Sequence, residues 1–380
     1  MKTIQEASIE NKNVFIRMDY NVAIQNGEII DDYKIRASLS TILDVINQNP
    51  ARIIIGSHLS RPEGKFDERY SCRPIYNVLK KLIKDEMGED LKFCSIEDYN
   101  NEKLVMIENL RFYPEEQNFS KSSSDKSLSS FFNNYVDILI VDAFGVLHRN
   151  DYSVCYTGLT PYVGNLVSKE LSIGEDIKNE GVELIILGGC KIKDKITILE
   201  TLIPKCKNVF IVGALACSFL KYHFRVEIGK SKIEEDAADI IERIYELASN
   251  HNVKIFVTHD YKVSSNGKTF YAKDIPKDGQ VVDIGMETLE QLKEVIGGTD
   301  KIFWNGPPGI FENDESSAGS KNLVKILSNK QRVVVGGGET AACVRKFGKI
   351  EDFYHVSTGG GAFLKLLGNS KMPGVEALNK

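Results

Sequence analysis

Short apolar runs rich in β-branched and aromatic residues recur along the whole chain. They lie at residues 14–18, 52–56, 104–107, 136–141, 183–187, 208–212, 254–257, 301–304 and 332–335. Most of these runs show no alternation of apolar and polar positions, which is typical of strands buried on both faces of a sheet. The pattern therefore predicts the central strands of parallel sheets.

Segments with a helical spacing of apolar residues separate many of the predicted strands. The clearest are residues 75–84, 193–203, 234–248, 287–295 and 320–327. Strands that alternate with helices predict an α/β fold with parallel sheets. Residues 163–178 have mixed polarity and are predicted to form a helix that connects two domains. The serine-rich residues 120–130 are predicted to form a surface loop or a helix start.

The residues that follow the predicted strands differ between the two halves of the chain. In the first half they are basic, namely Arg17, His58, Arg61, Arg111, His148 and Arg149. In the second half they are glycine and asparagine, namely Gly188, Gly189, Gly213, Asn305, Gly306 and residues 336–338. Open parallel sheets bind ligands at the carboxyl ends of their strands, so each half is predicted to hold a ligand there.

This asymmetry predicts two kinds of anion site. A single arginine is more often a surface or structural residue, but five arginines and two histidines at one sheet edge would form a basic pocket for phosphate and carboxylate groups. That set is Arg17, Arg36, Arg61, Arg111 and Arg149, with His58 and His148. Glycines before helix starts would instead bind phosphates through backbone N–H groups. Two anion sites in one chain suggest phosphoryl transfer.

The glycine-rich turn at residues 336–338 is the strongest local signal in the second half. It follows an apolar strand and precedes a predicted helix at 341–346, and residues 357–361 repeat the theme with hydroxyl groups. Three glycines are a costly way to build a plain turn, which favours anion binding. Lys191 and Lys195 are spaced to share one face near a helix start, where they would be solvated charges or phosphate ligands. Phe224 stands where a Walker loop needs glycine, which excludes that motif.

Composition narrows the class of protein. A chain of 380 residues is long enough for two domains, and its net charge of −5 gives no support to a nucleic-acid or membrane partner. Its seven cysteines include no C-x-x-C pair, which argues against a disulfide framework or a zinc site and fits a reducing cytosol. Cys155, Cys190, Cys217 and Cys343 are predicted to be buried. Neither a signal peptide nor a membrane-spanning run is evident, so a cytoplasmic protein is expected.

An ordered series of strings resembles the phosphoglycerate kinase family from about residue 12 to residue 377. The strings are VFIRMDYNV, DDYKIRASL, GSHLSRPEG, ENLRFYPEE, VDAFGVLHR, LGGCKIKDKI, IGKSKIEED, WNGPPGIFE, VVVGGGETAA, STGGGA and MPGVEAL. The resemblance implies two Rossmann-like domains joined by a helix, with a C-terminal tail that returns to the first domain. The implied boundaries are 1–162 with 366–380 for the acid-substrate domain, 163–180 for the interdomain helix and 181–365 for the nucleotide-binding domain.

The implied reaction transfers a phosphoryl group between 1,3-bisphosphoglycerate and ADP, giving 3-phosphoglycerate and Mg-ATP, in a monomeric glycolytic enzyme. Carried over by motif, the acid substrate would bind to Asp19, Asn21, Arg36, His58, Arg61, Arg111 and Arg149. The nucleotide would bind to Gly189, Lys191, Lys195, Gly213, Asn305, Glu312, Gly337, Gly338 and Thr340, with Glu312 on the ribose and Glu339 as the Mg²⁺ ligand.

A carboxylate nucleophile is already ionised at neutral pH, so the reaction needs no general base. Positioning and charge neutralisation must supply the rate. Arg36 would steady the transferring group, while Lys191, Lys195 and the helix N-terminus at Gly338 would share its charge. Binding on two domains implies a hinge closure that expels water.

The chain departs from the family pattern at several positions, among them Val146 and Leu147, which stand where the family has threonine and alanine. Glu339 stands where the family has aspartate, Val212 and Ala214 flank Gly213 where it has glycines, Val281 replaces another glycine and Asp151 replaces a histidine. The valines are expected to narrow the nucleotide groove, and Asp151 to lower the positive charge of the acid site. Two alternatives follow: a divergent paralogue that uses a related phosphorylated acid or another purine nucleotide, and a catalytically weak homologue that binds or regulates.

Overall fold

The computed structural model describes residues 1–118, 125–193 and 195–380. The chain divides into two compact units, one of Met1–Ser172 with Lys371–Lys380 and one of Ile173–Ser370. We call them the first and the second unit. Residues 120–124 of the predicted serine-rich loop lie outside the described residues, and the part that is described leads into a helix.

A parallel sheet forms the centre of the first unit. Its strands run in the order β1-β9-β8-β2-β5-β7-β6, and a short antiparallel hairpin pairs β3 with β4. The strands are β1 (Lys2–Thr3), β2 (Asn13–Met18), β3 (Ile24–Gln25), β4 (Glu28–Ile29), β5 (Arg52–Gly56), β6 (Lys92–Cys94), β7 (Leu104–Ile107), β8 (Ile138–Asp142) and β9 (Pro161–Val163). The central strands are fully buried, as their unbroken apolar runs predict.

Helices cover this sheet and bury its β-branched side chains. They are α1 (Tyr33–Ala37), α2 (Leu39–Ile46), α3 (Arg73–Met87), α4 (Pro114–Asn118), α5 (Ser127–Tyr135), α6 (Tyr152–Cys155) and α7 (Asn165–Glu180), within which the two units divide. The C-terminal helix, Pro373–Leu378, belongs to the first unit, where the Gly374 N–H donates to the Leu147 carbonyl at 2.8 Å.

The second unit has a parallel sheet in the order β12-β11-β10-β16-β17-β18. Its strands are β10 (Leu184–Leu187), β11 (Asn208–Ile211), β12 (Lys254–Val257), β16 (Lys301–Asn305), β17 (Arg332–Gly336) and β18 (His355–Val356). Its helices are α8 (Ile196–Leu202), α9 (Gly213–Tyr222), α10 (Ala238–Asn250), α11 (Met286–Gly297), α12 (Ala318–Leu327), α13 (Gly338–Phe347) and α14 (Gly360–Leu367). The predicted α/β class with parallel sheets is confirmed.

The second unit also contains an antiparallel sheet that the apolar runs do not predict. It consists of β13 (Tyr261–Ser265), β14 (Lys268–Ala272) and β15 (Gln280–Ile284), in the order β14-β13-β15. β13 alternates buried and half-buried positions at its start, whereas β14 is largely exposed, including Phe270 and Tyr271. The two strands join at Asn266-Gly267, a typical hairpin turn. Among the described residues, no helix combines the length and the apolar composition needed to cross a membrane.

Candidate active site

The carboxyl ends of β2 and β5 bring Asp19 and His58 together in the first unit. Because Arg17 pairs with Gly56 in the parallel register, the residues that follow the two strands lie side by side. The Asp19 carboxylate lies 4.0 Å from His58 Nδ1 and accepts hydrogen bonds from Lys34 Nζ at 2.9 Å and the Asn21 N–H at 3.2 Å. The sequence analysis missed Lys34, although it stands in the DDYKIRASL string.

Electrostatics fix the charge states of this pair. Burial by itself would raise the pKa of Asp19, but the Lys34 ammonium and the hydrogen bonds to the carboxylate hold that pKa well below its usual range. Burial, followed by the nearby Arg17 guanidinium, lowers the pKa of His58 well below its ordinary value. At neutral pH His58 is therefore neutral, and it adds hydrogen-bonding capacity to the site rather than positive charge.

Arg111 is a buried cation with hydrogen-bond donors that the described residues do not use. Its side chain is only 1 % exposed, and its Nη1 donates to the Ser60 carbonyl at 2.8 Å. Nε and Nη2 have no hydrogen-bond partner among the described residues, although the Asp151 carboxylate lies 3.6 Å from Nη2. Burial lowers the pKa of Arg111 to about 10, which leaves it charged at neutral pH. Buried donors without acceptors are costly, so this guanidinium is suited to receive an anion.

Arg17 does not belong to the anion pocket, contrary to the prediction for the arginine set. It is fully buried, and its Nη2 lies 3.2 Å from Glu116 Oε1 and 3.5 Å from Asp151 Oδ2. Its Nε donates to Ser153 Oγ at 2.8 Å, and its Nη1 donates to the Met18 carbonyl. Each of its nitrogens thus already has a partner, which makes Arg17 a structural residue.

The remaining predicted residues of the acid site have separate surroundings. The Asn21 side-chain oxygen accepts the Ser60 N–H at 2.9 Å, which ties Asn21 to the loop that carries His58. Arg36 and Arg61 are both exposed, and Arg36 forms an ion pair with Asp32 at 2.9 Å. Arg149 is half-buried with its Nε 3.3 Å from His148 Nε2. Direct contacts therefore join Asp19, Asn21 and His58 to the Ser60 loop, which Arg111 also contacts.

In the second unit, a cavity of about 400 Å³ opens at the carboxyl ends of β10 and β11. We call it the glycine cavity. Its lining includes Gly189, Cys190, Gly213, Ala214, Val281, Val282, Ile310, Phe311, Glu312 and Glu339. Helix α9 begins at Gly213, and α13 begins one residue before Glu339. The N–H groups of a first helical turn have no partner within the helix, so both termini favour an anion.

The turn before α13 admits only glycine at its centre. Gly337 has a φ of +96°, and a Cβ there would lie 2.4 Å from Asn305 Nδ2. Asn305 Nδ2 donates to the Gly336 carbonyl at 2.8 Å, and the Thr340 hydroxyl accepts the Gly306 N–H at 2.7 Å. Asn305 and Thr340 thus hold the backbone of this turn in place at the start of α13.

The two predicted lysines lie in a loop and not on a helix. Helix α8 begins only at Ile196, and the Glu234 carboxylate accepts the N–H groups of Ile192 and Lys193 in the loop before it. Lys195 Nζ donates to the Lys191 carbonyl at 3.3 Å and lies 3.4 Å from the position of a Cβ on Gly189. The predicted shared helix face is therefore wrong, but the Lys195 ammonium does lie beside the glycine turn.

Two further expectations for this unit need correction. Val212 is fully buried in the core and does not line the glycine cavity, whereas Val281 and Ala214 do. Cys190 is exposed and lines the cavity, although it was predicted to be buried, because it lies in the loop between β10 and α8. Cys217 and Cys343 are buried as predicted, and Cys155 is partly buried.

The glycine cavity offers two carboxylates that a Mg²⁺ ion could use. The described residues contain no cluster of three or more His, Cys, Asp or Glu side chains placed to bind a metal. Glu312 and Glu339 both line the glycine cavity. Mg²⁺ in kinase sites is commonly held by one or two carboxylates together with substrate phosphates. Glu312 and Glu339 therefore fit a Mg²⁺ ion that is also held by phosphates, and Glu339 lies in the first turn of α13.

A buried carboxylate, Asp283, supports one wall of the glycine cavity. It accepts the N–H groups of Gly319 at 2.7 Å and Ile284 at 2.9 Å, and a Cβ on Gly309 would lie 2.4 Å from it. Burial raises the pKa of Asp283 to about 7 although these hydrogen bonds oppose the shift. Between about pH 4 and pH 7 the folded protein therefore holds a proton that the unfolded chain has lost.

This shift predicts how an Asp283→Asn substitution depends on pH. The contribution of Asp283 to this pH dependence is present in the wild type and absent from Asp283→Asn. The stability advantage of the wild type over Asp283→Asn should therefore shrink between pH 5 and pH 8. Urea unfolding of both proteins across this range measures the difference. Asp260→Asn is the control: burial by itself would raise the pKa of Asp260, but hydrogen bonds from Thr288 and Glu287 lower it, so both states are ionised and the cost should stay constant. A cost of Asp283→Asn that also stays constant would contradict the raised pKa.

Comparison with known proteins identifies the family. The family model described as phosphoglycerate kinase matches residues 4–370. Phosphoglycerate kinase of Yarrowia lipolytica is 34% identical over 412 residues, covering 100% of this chain and 98% of that protein. The enzyme of Finegoldia magna is 35% identical over 404 residues, covering 100% and 99%.

Solved structures agree with the sequence relatives. Phosphoglycerate kinase from Coxiella burnetii superposes with a TM-score of 0.83 at 28% identity, covering 99% of this chain and 98% of that one. The Pyrococcus horikoshii OT3 enzyme gives 0.83 at 25% identity, covering 100% and 98%. With a matching family model over nearly its whole length and full-length relatives above 30% identity, the chain belongs to the phosphoglycerate kinase family.

Proposed function

We propose that the protein transfers a phosphoryl group between a nucleotide and the carboxylate of 3-phosphoglycerate, as a kinase of glycolysis and gluconeogenesis. In one direction a carboxylate oxygen bonds to the terminal phosphorus of ATP and the bond to ADP breaks. In the other, the acyl phosphate of 1,3-bisphosphoglycerate gives its phosphoryl group to ADP. The observation that carries the proposal is family membership over the full length of a chain that retains an available buried guanidinium, Arg111.

The proposed acid site contains Asp19, Asn21, Arg36, His58, Arg61, Arg111 and Arg149. Support is strongest for Arg111, whose Nε and Nη2 have no hydrogen-bond partner among the described residues. Lys34 neutralises Asp19, so Asp19 orients its neighbours without repelling an anionic substrate. Asp151 lies 3.6 Å from Arg111 and reduces the positive charge that the substrate meets. We place Asp151 beside the site as a charge-lowering residue.

The proposed nucleotide site contains Gly189, Lys191, Lys195, Gly213, Asn305, Glu312, Gly337, Gly338 and Thr340. The two helix N-termini that meet the glycine cavity support phosphate binding, and the Lys195 ammonium beside Gly189 adds a positive charge. Arg36, Lys191, Lys195 and the Gly338 N–H are the proposed catalytic groups. They would stabilise the charge that spreads over the transferring phosphoryl oxygens.

When bound with the nucleotide, Mg²⁺ neutralises phosphate charge, and Glu339 would supply a protein carboxylate to it. Replacing Glu339 with glutamine is expected to raise the Mg²⁺ concentration for half-maximal rate by about tenfold or more, a typical cost of weakening a metal site. Glu339→Asp, which keeps the charge, should preserve the Mg²⁺ response or improve it. Glu315→Gln, which removes an exposed carboxylate outside the cavity lining, is the control. A normal Mg²⁺ response of Glu339→Gln would exclude this role.

We also propose a monomer in the cytoplasm that acts on small molecules and binds neither nucleic acid nor membranes. The net charge of −5 supports the absence of a nucleic-acid partner. All seven cysteines are free thiols, which fits a reducing compartment.

A coupled assay with 3-phosphoglycerate, ATP and Mg²⁺ tests the proposal. Turnover of at least one per second, dependent on all three components, is the expected result for a kinase. Thermal unfolding with each ligand separates binding from catalysis, since a ligand of the folded state raises the midpoint. Binding of both ligands without turnover would instead identify a binding or regulatory homologue.

A further inference from the structure

The wall of the glycine cavity includes one lysine, Lys232, that is not among the residues proposed to bind the nucleotide phosphates. Lys232 lines the cavity, its side chain is exposed, and it forms no ion pair with any described residue. The segment that carries it is firmly held. The Lys230 N–H donates to the Gly279 carbonyl at 2.7 Å, and the Ser231 hydroxyl accepts the Val281 N–H at 3.0 Å. The backbone next to Lys232 is thus held beside the start of β15.

The cavity has two chemically different parts. The N-termini of α9 and α13, with Gly189 and Gly213, form a part that attracts phosphate groups. Val281, Val282 and Ile310 form an apolar part, where the Ile310 N–H donates to the Val282 carbonyl at 2.9 Å. Apolar walls of this kind accept the faces of a planar base. A nucleotide with its phosphates at the helix termini therefore has its base near β15, where Lys232 and Gln280 lie.

We propose that Lys232 selects the nucleobase and favours a 6-oxopurine, guanine or hypoxanthine, over adenine. An ammonium group only donates hydrogen bonds. Guanine offers it two adjacent acceptors, N7 and O6, whereas adenine offers N7 beside the N6 amino donor. The Gln280 amide both donates and accepts, so it fits either base and does not oppose this preference. The inference rests on the proposed function in one respect, that a nucleotide occupies the glycine cavity.

Calorimetric binding of GDP, IDP and ADP to the full-length protein tests the selection directly. A charge-assisted hydrogen bond lost in Lys232→Met should lower the ratio of GDP to ADP affinity by about tenfold or more, which corresponds to about 1.4 kcal/mol. IDP should follow GDP, because both bases carry the 6-oxo group. Lys232→Arg keeps a cationic donor and should retain the preference.

Lys262→Met is the matched control for loss of one positive charge. Lys262 lies on β13 of the same small sheet, its ammonium is 5.5 Å from the Tyr271 ring centroid, and it is outside the cavity lining. The GDP to ADP ratio should be unchanged in this variant. Thermal unfolding midpoints of all variants verify that they are folded.

The result that would overturn the proposal is an unchanged GDP to ADP ratio in folded Lys232→Met. Affinity for IDP that follows ADP instead of GDP would also overturn it, as would the failure of all three nucleotides to bind. The coupled assay with ATP and GTP separates this outcome from the proposed reaction. If the protein turns over but its GDP to ADP affinity ratio does not change in Lys232→Met, only the base selection is refuted. If the ratio changes in Lys232→Met but the protein does not turn over, only the proposed reaction is refuted.

Discussion

Replacing Arg17 with methionine is expected to lower the free energy of unfolding by about 3–5 kcal/mol. Arg17 lies on the central strand β2, and its side chain and that of Glu116 are both fully buried. Removal of the guanidinium would leave Glu116 and Asp151 buried without their main cation. Losing one partner of a buried ion pair is costly because the remaining charge has been taken out of water.

Urea unfolding of the wild type and Arg17→Met measures this effect. Arg69→Met is the matched control, because Arg69 forms an exposed ion pair with Asp67 and exposed pairs contribute little to stability. The double variant Arg17→Met/Glu116→Gln should recover part of the loss, since the unpaired carboxylate is gone. An Arg17→Met variant that is as stable as Arg69→Met would show that the buried cluster is not what stabilises this part of the sheet.

Replacing Arg111 with methionine is expected to lower kcat/KM for 3-phosphoglycerate by about 30-fold to several thousand-fold, the usual effect of removing a buried charged contact. Nε and Nη2 of Arg111 have no hydrogen-bond partner among the described residues, so we expect these donors to bind the substrate. The same reasoning predicts a smaller loss of stability than for Arg17→Met. A guanidinium with incomplete partners adds little to the folded state, and Asp151 keeps Arg17 as its cation.

Steady-state kinetics with 3-phosphoglycerate as the varied substrate measure this prediction. Arg52→Met is the control, because Arg52 begins β5 and therefore lies at the amino end of the sheet, where it contacts Asn13 and the Asn101 carbonyl. Arg111→Lys tests geometry, since lysine keeps the charge but loses the planar fork. Equal kcat/KM values for Arg111→Met and Arg52→Met would remove Arg111 from the acid site.

The Asp151 carboxylate lies beside both Arg17, which stabilises the fold, and Arg111, which we place in the acid site. Asp151 lies 3.5 Å from Arg17 and 3.6 Å from Arg111. Both arginines follow or end an apolar run, and the chain alone presents them as equivalent. They differ because Glu116 and Ser153 reach Arg17 from 99 and 136 residues away and leave Arg111 with unused donors.

The pattern of apolar residues along the chain predicted the strands and helices that depend mainly on residues close in sequence. The unbroken apolar runs predicted the parallel strands, since only strands covered on both faces retain such runs. The three-strand antiparallel sheet was missed because Lys262, Ser264 and Ser265 interrupt the apolar run of β13. β14 is largely exposed and therefore has no buried apolar run. The start of α8 was misplaced: the predicted helix began at residue 193, whereas the segment before Ile196 is a loop that a long-range contact to Glu234 holds.

By itself the amino-acid order determined the α/β class, the glycine turn before α13 and the family, because these depend on residue type and spacing along the chain. Tertiary structure decided how the charged side chains are paired. Every nitrogen of Arg17 has a partner, whereas Nε and Nη2 of Arg111 have no hydrogen-bond partner among the described residues, although Asp151 lies 3.6 Å from Nη2. Lys195 lies beside Gly189 without a helix to place it. The physical reason is that the state of a buried charge depends on the partners that long-range packing brings within a few ångströms.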